Sequence, residues 1–124
     1  MELNNRYNQV FGKIPILCMI HLAGQNPVKR ALEEITLFEE EGVDGAIIEN
    51  YHGSVEDVIT TLQETSKRKS NVVIGVNLLP NEFYQSLPLA QRYGADFVQL
   101  DQVAGIYRSG QLDFEQYEKV KKQH

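Results

Sequence analysis

The segment Pro15-Ile16-Leu17-Cys18-Met19-Ile20-His21-Leu22 decides the fold class, because it is an unbroken apolar run that ends in a histidine. Its apolar residues do not alternate with polar ones, and this pattern is typical of a strand that is buried on both faces. Such strands occur in parallel sheets that are covered by helices. A short loop and a helical pattern follow, so we predict that the segment opens a βα unit.

The same arrangement recurs three times along the chain. Apolar segments end in polar residues at 45–48 before Glu49-Asn50, at 72–76 before Asn77, and at 97–100 before Asp101. Starting from His21, the polar strand ends are spaced by 28, 28 and 24 residues. A (β/α)8 barrel of about 250 residues uses about 31 residues per unit, so these steps fit barrel units. A doubly wound α/β sheet fits them almost as well.

Composition indicates a folded chain of one domain. The 124 residues are 42% hydrophobic and 23% charged, which excludes a disordered protein. The net charge of -5 argues against nucleic acid as a partner. The single cysteine, Cys18, fits a reducing compartment, and no apolar run approaches the roughly 20 residues that span a bilayer. We therefore expect a cytoplasmic protein without a membrane span.

We predict a single domain over residues 1–124, with an amphipathic lead-in at 1–12 and four βα units over 13–124. The first helix has Asn26 as a candidate N-cap and Gly42 as its stop. The second opens near a capping box, Ser54 with Asp57, and the fourth opens at Asp113. In the third helix Pro88 favours a start at Ser86, because proline is tolerated only near a helix start. The alternative is a start at Asn81 with a kink.

Four βα units do not close a barrel, since eight strands set its tilt and diameter. The chain is then the N-terminal half of a longer barrel, a half barrel that dimerises through the edges of its first and last strands, or a small open sheet with helices on both faces. In the first two cases one sheet face would line a barrel interior and stay exposed in a monomer. We expect such a face to favour a homo-oligomer.

The polar residues at the strand ends are the candidate functional site, because parallel α/β folds place function at the carboxyl ends of their strands. They are His21, Glu49, Asn50, Asn77 and Asp101. A histidine with two carboxylates suits acid/base chemistry.

Two alternatives to acid/base chemistry stay open at this point. Adding His52 would supply metal ligands, but Glu49-x-x-His52 falls in a loop and not on a helical turn, so we expect no metal and no cofactor. The structural alternative is that Glu49 and Asp101 only accept hydrogen bonds from His21 or Asn77, because buried strand ends need such partners.

Four segments together resemble the BtpA/SgcQ family. They are Phe11-Gly12-Lys13 with Pro15-Ile16 and Met19-Ile20-His21-Leu22, Gly42-Val43-Asp44-Gly45 with Glu49-Asn50, Gly75-Val76-Asn77 with Asn81, and Gly94-Ala95-Asp96-Phe97-Val98. The resemblance implies the N-terminal half of a (β/α)8 TIM-type barrel that is related to phosphate-binding barrels such as phosphoribosylanthranilate isomerase. The chain departs from the family pattern at Tyr51-His52-Gly53-Ser54, at Pro80 and at Gln99-Leu100-Asp101, which all lie at the functional rim.

The resemblance also implies a function. One branch of the family takes its name from photosystem I biogenesis, and others are encoded beside genes of sugar metabolism. We expect an isomerase- or lyase-like enzyme that acts on a small phosphorylated or sugar-derived metabolite. His21 would be the acid/base, Glu49 and Asp101 its partner or the base, and Asn50, Asn77 and His52 would bind substrate. The alternative is a non-enzymatic assembly or stability factor, or an inactive remnant.

Overall fold

The computed structural model describes residue 11 and residues 14–124. The predicted lead-in at 1–12 therefore lies outside the described residues, apart from Phe11. Strands and helices alternate through the rest of the chain, as predicted. Their bounds are β1 Leu17–Ile20, α1 Pro27–Glu41, β2 Gly45–Glu49, α2 Val55–Ser66, β3 Val73–Asn77, α3 Phe83–Tyr93, β4 Phe97–Val98 and α4 Phe114–Gln123.

The four strands form one parallel sheet in the order β1-β2-β3-β4. Each strand pairs with the next one along the chain, as in a barrel, whereas a doubly wound sheet reverses its strand order at a switch point. Because right-handed crossovers carry consecutive helices to the same side of such a sheet, the arrangement is that of a half barrel. The prediction of four parallel βα units is confirmed.

The apolar core lies between the helices and one face of the sheet. Alternate residues of the strands point to this face, and Ile20, Ile48 and Val76 have no exposed surface there. Ala31 and Ile35 of α1, Val58 and Leu62 of α2, and Ala90 of α3 belong to the same cluster. The three helices therefore cover one face together, and the other face corresponds to the interior of a barrel.

This inner face is only partly exposed. Two of its glycines leave room for side chains from the edge strands: a Cβ on Gly45 would lie 2.6 Å from Leu17 Cδ2, and a Cβ on Gly75 would overlap the Phe97 ring. Phe11 packs edge-on against Phe97, with ring centroids 5.6 Å apart. The edge strands thus fold bulky side chains over the central strands, and the expectation of a fully exposed inner face is wrong for β2 and β3.

Strand β1 departs from its predicted burial. Leu17 and Met19 are 38% and 37% exposed, while Ile20 is fully buried. The apolar run therefore has one buried face and one open face, and the prediction of burial on both faces is wrong. β1 is an edge strand, so its inner face is covered from one side only.

A repeated Gly-X-Asp turn connects two helices to the strands that follow them. Gly42 and Gly94 end α1 and α3 in the left-handed conformation, with φ of 73° and 70°. Asp44, two residues after Gly42, accepts a hydrogen bond from Ile16 N at 2.7 Å, and Asp96 accepts one from Ile74 N at 2.9 Å. Each aspartate thus ties the start of its own strand to the neighbouring strand.

The observed N-caps of the helices agree in part with those predicted from the sequence. Ser54 and Asp57 form a full capping box, and Asp113 accepts a hydrogen bond from Gln116 N at 3.0 Å. Asn26 stands at the N-cap of α1, but its side chain makes no capping bond to any described residue. The described helices include none that is both long and apolar enough to cross a membrane.

Two boundaries were predicted incorrectly. Helix α3 begins at Phe83 and carries Pro88 in its interior, so the start at Ser86 is wrong and the earlier-start alternative is closer. Strand β4 covers Phe97 and Val98 only, because its ladder to β3 ends there, so the prediction of a strand to Leu100 is too long.

Candidate functional site

The carboxyl ends of the strands bring His21, Glu49 and Asn77 together. Glu49 and Asn77 are register partners at the ends of β2 and β3, and His21 directly follows β1. His21 Nε2 lies 3.0 Å from Glu49 Oε1, and Asn77 Nδ2 donates to Glu49 Oε2 at 3.2 Å. Both oxygens of the Glu49 carboxylate therefore have a nitrogen partner.

Asn77 links the two carboxylates of the site. Its Nδ2 also donates to Asp101 Oδ2 at 3.1 Å. The residue has no exposed surface. Its Oδ1 has no hydrogen-bond partner among the described residues. The side-chain NH2 group of Asn77 thus donates to the carboxylates of Glu49 and Asp101, while its side-chain oxygen has no hydrogen-bond partner among the described residues.

Burial and nearby charges shift the pKa of the Glu49 carboxyl in opposite directions, and the net shift is upward. The residue is 5% exposed, and burial raises the pKa of its carboxyl above the ordinary value of 4.5. The charge of His21 opposes this shift of the pKa, the negative charge of Asp101 adds to it, and the hydrogen bond from Asn77 opposes it. A carboxyl of this kind, beside an imidazole whose side chain is 46% exposed, suits proton transfer.

Hydrogen bonds between successive βα loops hold the rim together. His52 N donates to His21 O at 3.0 Å, which joins the first loop to the second. Asn50 Oδ1 accepts from Leu79 N at 2.7 Å, which joins the second loop to the third. Each loop is thereby anchored to the next one along the sheet.

Asn81 makes the link from the third loop to the fourth. Its Oδ1 accepts from Asp101 N at 2.9 Å and from Gln102 N at 3.1 Å, and its Nδ2 donates to Gln102 O at 2.8 Å. Three hydrogen bonds of one side chain therefore hold the backbone of Asp101 and Gln102. Asn81 has φ 55°, a conformation in which asparagine is enriched several-fold over most residues.

Three aromatic rings lie beside the acids. The His21 and Tyr51 ring centroids are 5.0 Å apart, those of Tyr51 and His52 are 4.6 Å apart, and those of His21 and His52 are 6.1 Å apart. Tyr51 is exposed, so this cluster offers an aromatic surface next to the carboxylates. A cavity of about 360 Å³ borders it on the β1 side, where Met19, His21, Arg30 and His52 are among the lining residues.

The structure therefore brings four of the six candidate residues into one row of polar contacts, in which His21 forms an ion-pair contact with Glu49 and Asn77 donates hydrogen bonds to Glu49 and Asp101. His52 is adjacent through its ring, and Asn50 is directed at the backbone of Leu79. The bonds that the structural alternative requires are present, and the catalytic roles stay predictions. Within the described part of the chain, no group of three or more histidine, cysteine or acidic side chains is placed to hold a metal ion.

Sequence reasoning did not identify two residues of the rim as site residues, Asn81 and Gln99. The signal for Asn81 was its position after Leu79-Pro80, where an asparagine suits a turn with positive φ. Gln99 stands two residues before Asp101, and side chains alternate along a strand, so its place on the Asp101 face was readable.

Comparison with known proteins gives a family. The profile of the BtpA family matches residues 23–124, which include every candidate residue except His21. An uncharacterized protein of Pyrococcus furiosus is 22% identical over 116 residues, covering 77% of this chain and 44% of that relative. The photosystem I biogenesis protein BtpA of Synechocystis is 28% identical over 94 residues, covering 68% of this chain and 33% of that protein.

The chain spans less than half the length of these two curated relatives. No solved structure is significantly similar to it. The match to the family profile extends from the loop after β1 through α4, which includes β2, β3 and β4 with their helices. The chain therefore belongs to the BtpA family.

Proposed function

We propose that this chain carries an acid/base centre of a barrel enzyme that acts on a small phosphorylated or sugar-derived metabolite. The observation that supports the proposal is the pair formed by His21 Nε2 and Glu49 Oε1 at 3.0 Å, in which the carboxyl is buried and its pKa is raised. Proton transfer between a positioned imidazole and a tuned carboxyl contributes about 10²–10⁴-fold to a reaction rate.

The geometry assigns each residue a distinct part in this proposal. Because His21 Nε2 faces Glu49, Nδ1 is the nitrogen that exchanges a proton with the ligand. Glu49 would orient the imidazole and share its proton. Asp101 is exposed, so it would be the base that contacts substrate directly. Asn77 would fix the two carboxylates relative to each other, since its amide nitrogen donates to both.

The reaction class follows from this set of groups. An acid and a base on one rim move a proton from one substrate atom to another, which is isomerase- or lyase-like chemistry without a redox step. In barrels the phosphate of a substrate is usually bound by the loops after strands seven and eight. We therefore propose that the rim of this chain handles the reacting carbons and hydroxyls of the metabolite.

Solvent exchange tests the proposal without knowledge of the product. The chain is incubated in D2O with neutral and phosphorylated aldoses and ketoses, and proton NMR follows the loss of the C–H signal adjacent to the carbonyl. We expect exchange of at least one sugar above the buffer rate, slowed about 100-fold in His21→Asn and in Glu49→Gln. Glu33→Gln, the same acid-to-amide change on an exposed position of α1, should leave the rate unchanged. Exchange at the buffer rate for all sugars would refute the proposal.

A second candidate function is a non-enzymatic assembly factor. It is favoured by the similarity to a protein of Synechocystis named for photosystem I biogenesis. In that case the rim would bind a protein partner and not a metabolite. A partner that is captured by the wild-type chain and released by Tyr51→Ala, with no metabolite-induced rise in melting temperature, would support this candidate against the enzyme.

We also propose that the chain forms a homodimer in the cytoplasm, with β1 of one copy beside β4 of the other. Leu17 and Met19 are partly exposed on β1, Cys18 is a free thiol, and a groove of about 600 Å³ lies beside β4 between α3 and α4. Two half barrels joined in this way would close the rim around the site. Light scattering should give twice the monomer mass of 14.1 kDa. A monodisperse monomer would contradict the dimer.

A further inference from the structure

Two buried amide oxygens belong to residues at the carboxyl ends of neighbouring strands, β3 and β4. Asn77 Oδ1 and Gln99 Oε1 are both buried, and neither has a hydrogen-bond partner among the residues that the structure describes. Gly75 pairs with Phe97 and Val76 with Val98, and Gln99, the first residue after β4, donates its backbone N–H to Val76 O at 3.0 Å. Asn77 and Gln99 are therefore adjacent in register, and the alternation of side chains puts both on the inner face.

An unpaired buried carbonyl oxygen is unfavourable, because the group has lost its water without gaining a donor. Two such oxygens on neighbouring strands form one acceptor site. Asn77 already donates to Glu49 and Asp101, so it has no free donor for its own oxygen or for that of Gln99. A ligand that pairs with these two oxygens would therefore need O–H or N–H groups of its own.

The groups around the pair also accept hydrogen bonds. Glu49 and Asp101 lie on either side of Asn77, and His21 already faces Glu49. An anion would meet two acids and two carbonyl oxygens, so phosphate is disfavoured here. A metal cation is disfavoured as well, because no group of three or more histidine, cysteine or acidic side chains among the described residues is placed to hold one. A neutral group that both donates and accepts fits these contacts best.

We propose that the inner face beside β4 binds a neutral polyhydroxyl moiety, whose hydroxyls donate to Gln99 Oε1, Asn77 Oδ1 and the Asp101 carboxylate. The proposal rests on the proposed function, in that it names the part of the substrate that this rim holds. Gln99 is partly exposed, so a ligand can approach it from solvent, whereas Asn77 has no exposed surface, so binding there requires the side chains around it to move.

Side-chain amide signals report directly on these two residues. A ¹⁵N-labelled chain is titrated with ribitol, inorganic phosphate and 1,3-diaminopropane, and the NH2 signals of Asn77 and Gln99 are followed by heteronuclear NMR. We expect ribitol to shift both signals saturably and phosphate to leave them unmoved. Shifts by phosphate, by the diamine alone, or by none of the three would each overturn the proposal.

A matched pair of variants identifies the contact. Gln99→Met removes the amide but keeps the length of the side chain, and it should weaken ribitol binding about tenfold, as judged by the Asn77 signal. Gln85→Met makes the same change on an exposed face of α3 and should leave binding unchanged. Equal affinities in the two variants would overturn the proposal, and a melting curve of each variant verifies that it is folded.

The same titration separates this proposal from the proposed function. His21→Asn should abolish the exchange of sugar protons with D2O while the ribitol-induced shifts persist. Ribitol shifts without any exchange in the wild-type chain would refute acid/base catalysis and leave the polyol site standing. Exchange without ribitol shifts would refute the polyol site and leave acid/base catalysis standing.

Discussion

The packing of Phe97 over Gly75 gives the most specific prediction about the inner face. A Cβ at position 75 would lie within 3.0 Å of three atoms of the Phe97 ring, so Gly75→Ala forces the ring to move. Overpacking of this kind costs about 1–3 kcal/mol of the free energy of unfolding. Phe97→Ala costs about 2 kcal/mol, because the ring is only partly buried. In the double variant the new methyl group enters the space that the ring vacates, and we expect a total loss that is about 1–2 kcal/mol smaller than the sum of the two single losses.

Urea denaturation of the wild type, the two single variants and the double variant measures this coupling. Gly42→Ala is the matched control, since its φ is 73° and no heavy atom of the described residues lies within 4 Å of the added methyl. Its cost of about 1 kcal/mol comes from the backbone alone. It should therefore add to that of Phe97→Ala within about 0.5 kcal/mol. If the Gly75 and Phe97 variants were also additive, the ring would not lie over Gly75, and our description of the inner face would be wrong.

Three further predictions concern the turns, the helix starts and the site. Asp96→Ala should lower the free energy of unfolding by about 1–3 kcal/mol, because Ile74 N loses its acceptor, and a loss below about 0.5 kcal/mol in urea denaturation would contradict this. Ser54→Ala should cost about 1 kcal/mol through loss of the capping box, measured in the same way, and no change would show that α2 does not need it. Because the folded-state pKa of Glu49 is raised, the native state binds this proton more tightly than the unfolded state, so the contribution of Glu49 to stability falls as pH rises from 4.5 through the folded-state pKa. The melting temperature of Glu49→Gln should therefore depend less on pH over that window than that of the wild type, and equal dependence would argue against a raised pKa.

The order of strands and helices was readable from the sequence because each apolar run ends in a polar group and is followed by a helical stripe. The end of α1 was predictable for a local reason, since Gly42 adopts a left-handed conformation that favours glycine. The partial exposure of β1 was not predictable. An apolar run such as Leu17–Ile20 does not reveal whether its strand lies at a sheet edge, because that depends on which strands pair.

The start of α3 shows the limit of a local rule. Pro88 argued for a late start, but the helix begins at Phe83 after a turn at Asn81 with positive φ. Backbone hydrogen bonds that no sequence pattern indicates hold this turn. In one of them Glu82 N donates to Leu78 O at 2.8 Å. Side-chain bonds from Asn81 to the next loop hold it as well. Tertiary contacts therefore outweighed the cost of a proline in the helix interior.

The candidate site could be located from the sequence, but its connections could not. Parallel strands bring their carboxyl ends to one edge, which placed Glu49, Asn77 and Asp101 near one another. That Asn77 donates to both acids depends on the register between the strands and on side-chain rotation. A change of one residue in register would turn these side chains to the helix face of the sheet. The chain of contacts from His21 to Asp101 therefore needed the structure.

The central claim is that Glu49 is a buried carboxyl whose proton is controlled by His21 and Asp101. Its most direct test is a ¹³C NMR titration of the Glu49 side-chain carboxyl in the wild type, in His21→Asn and in Asp101→Asn. The account predicts a wild-type midpoint above 4.5, a higher midpoint when the opposing charge of His21 is removed, and a lower midpoint when the charge of Asp101 is removed. A wild-type midpoint at or below 4.5, or one that neither variant moves, would contradict it.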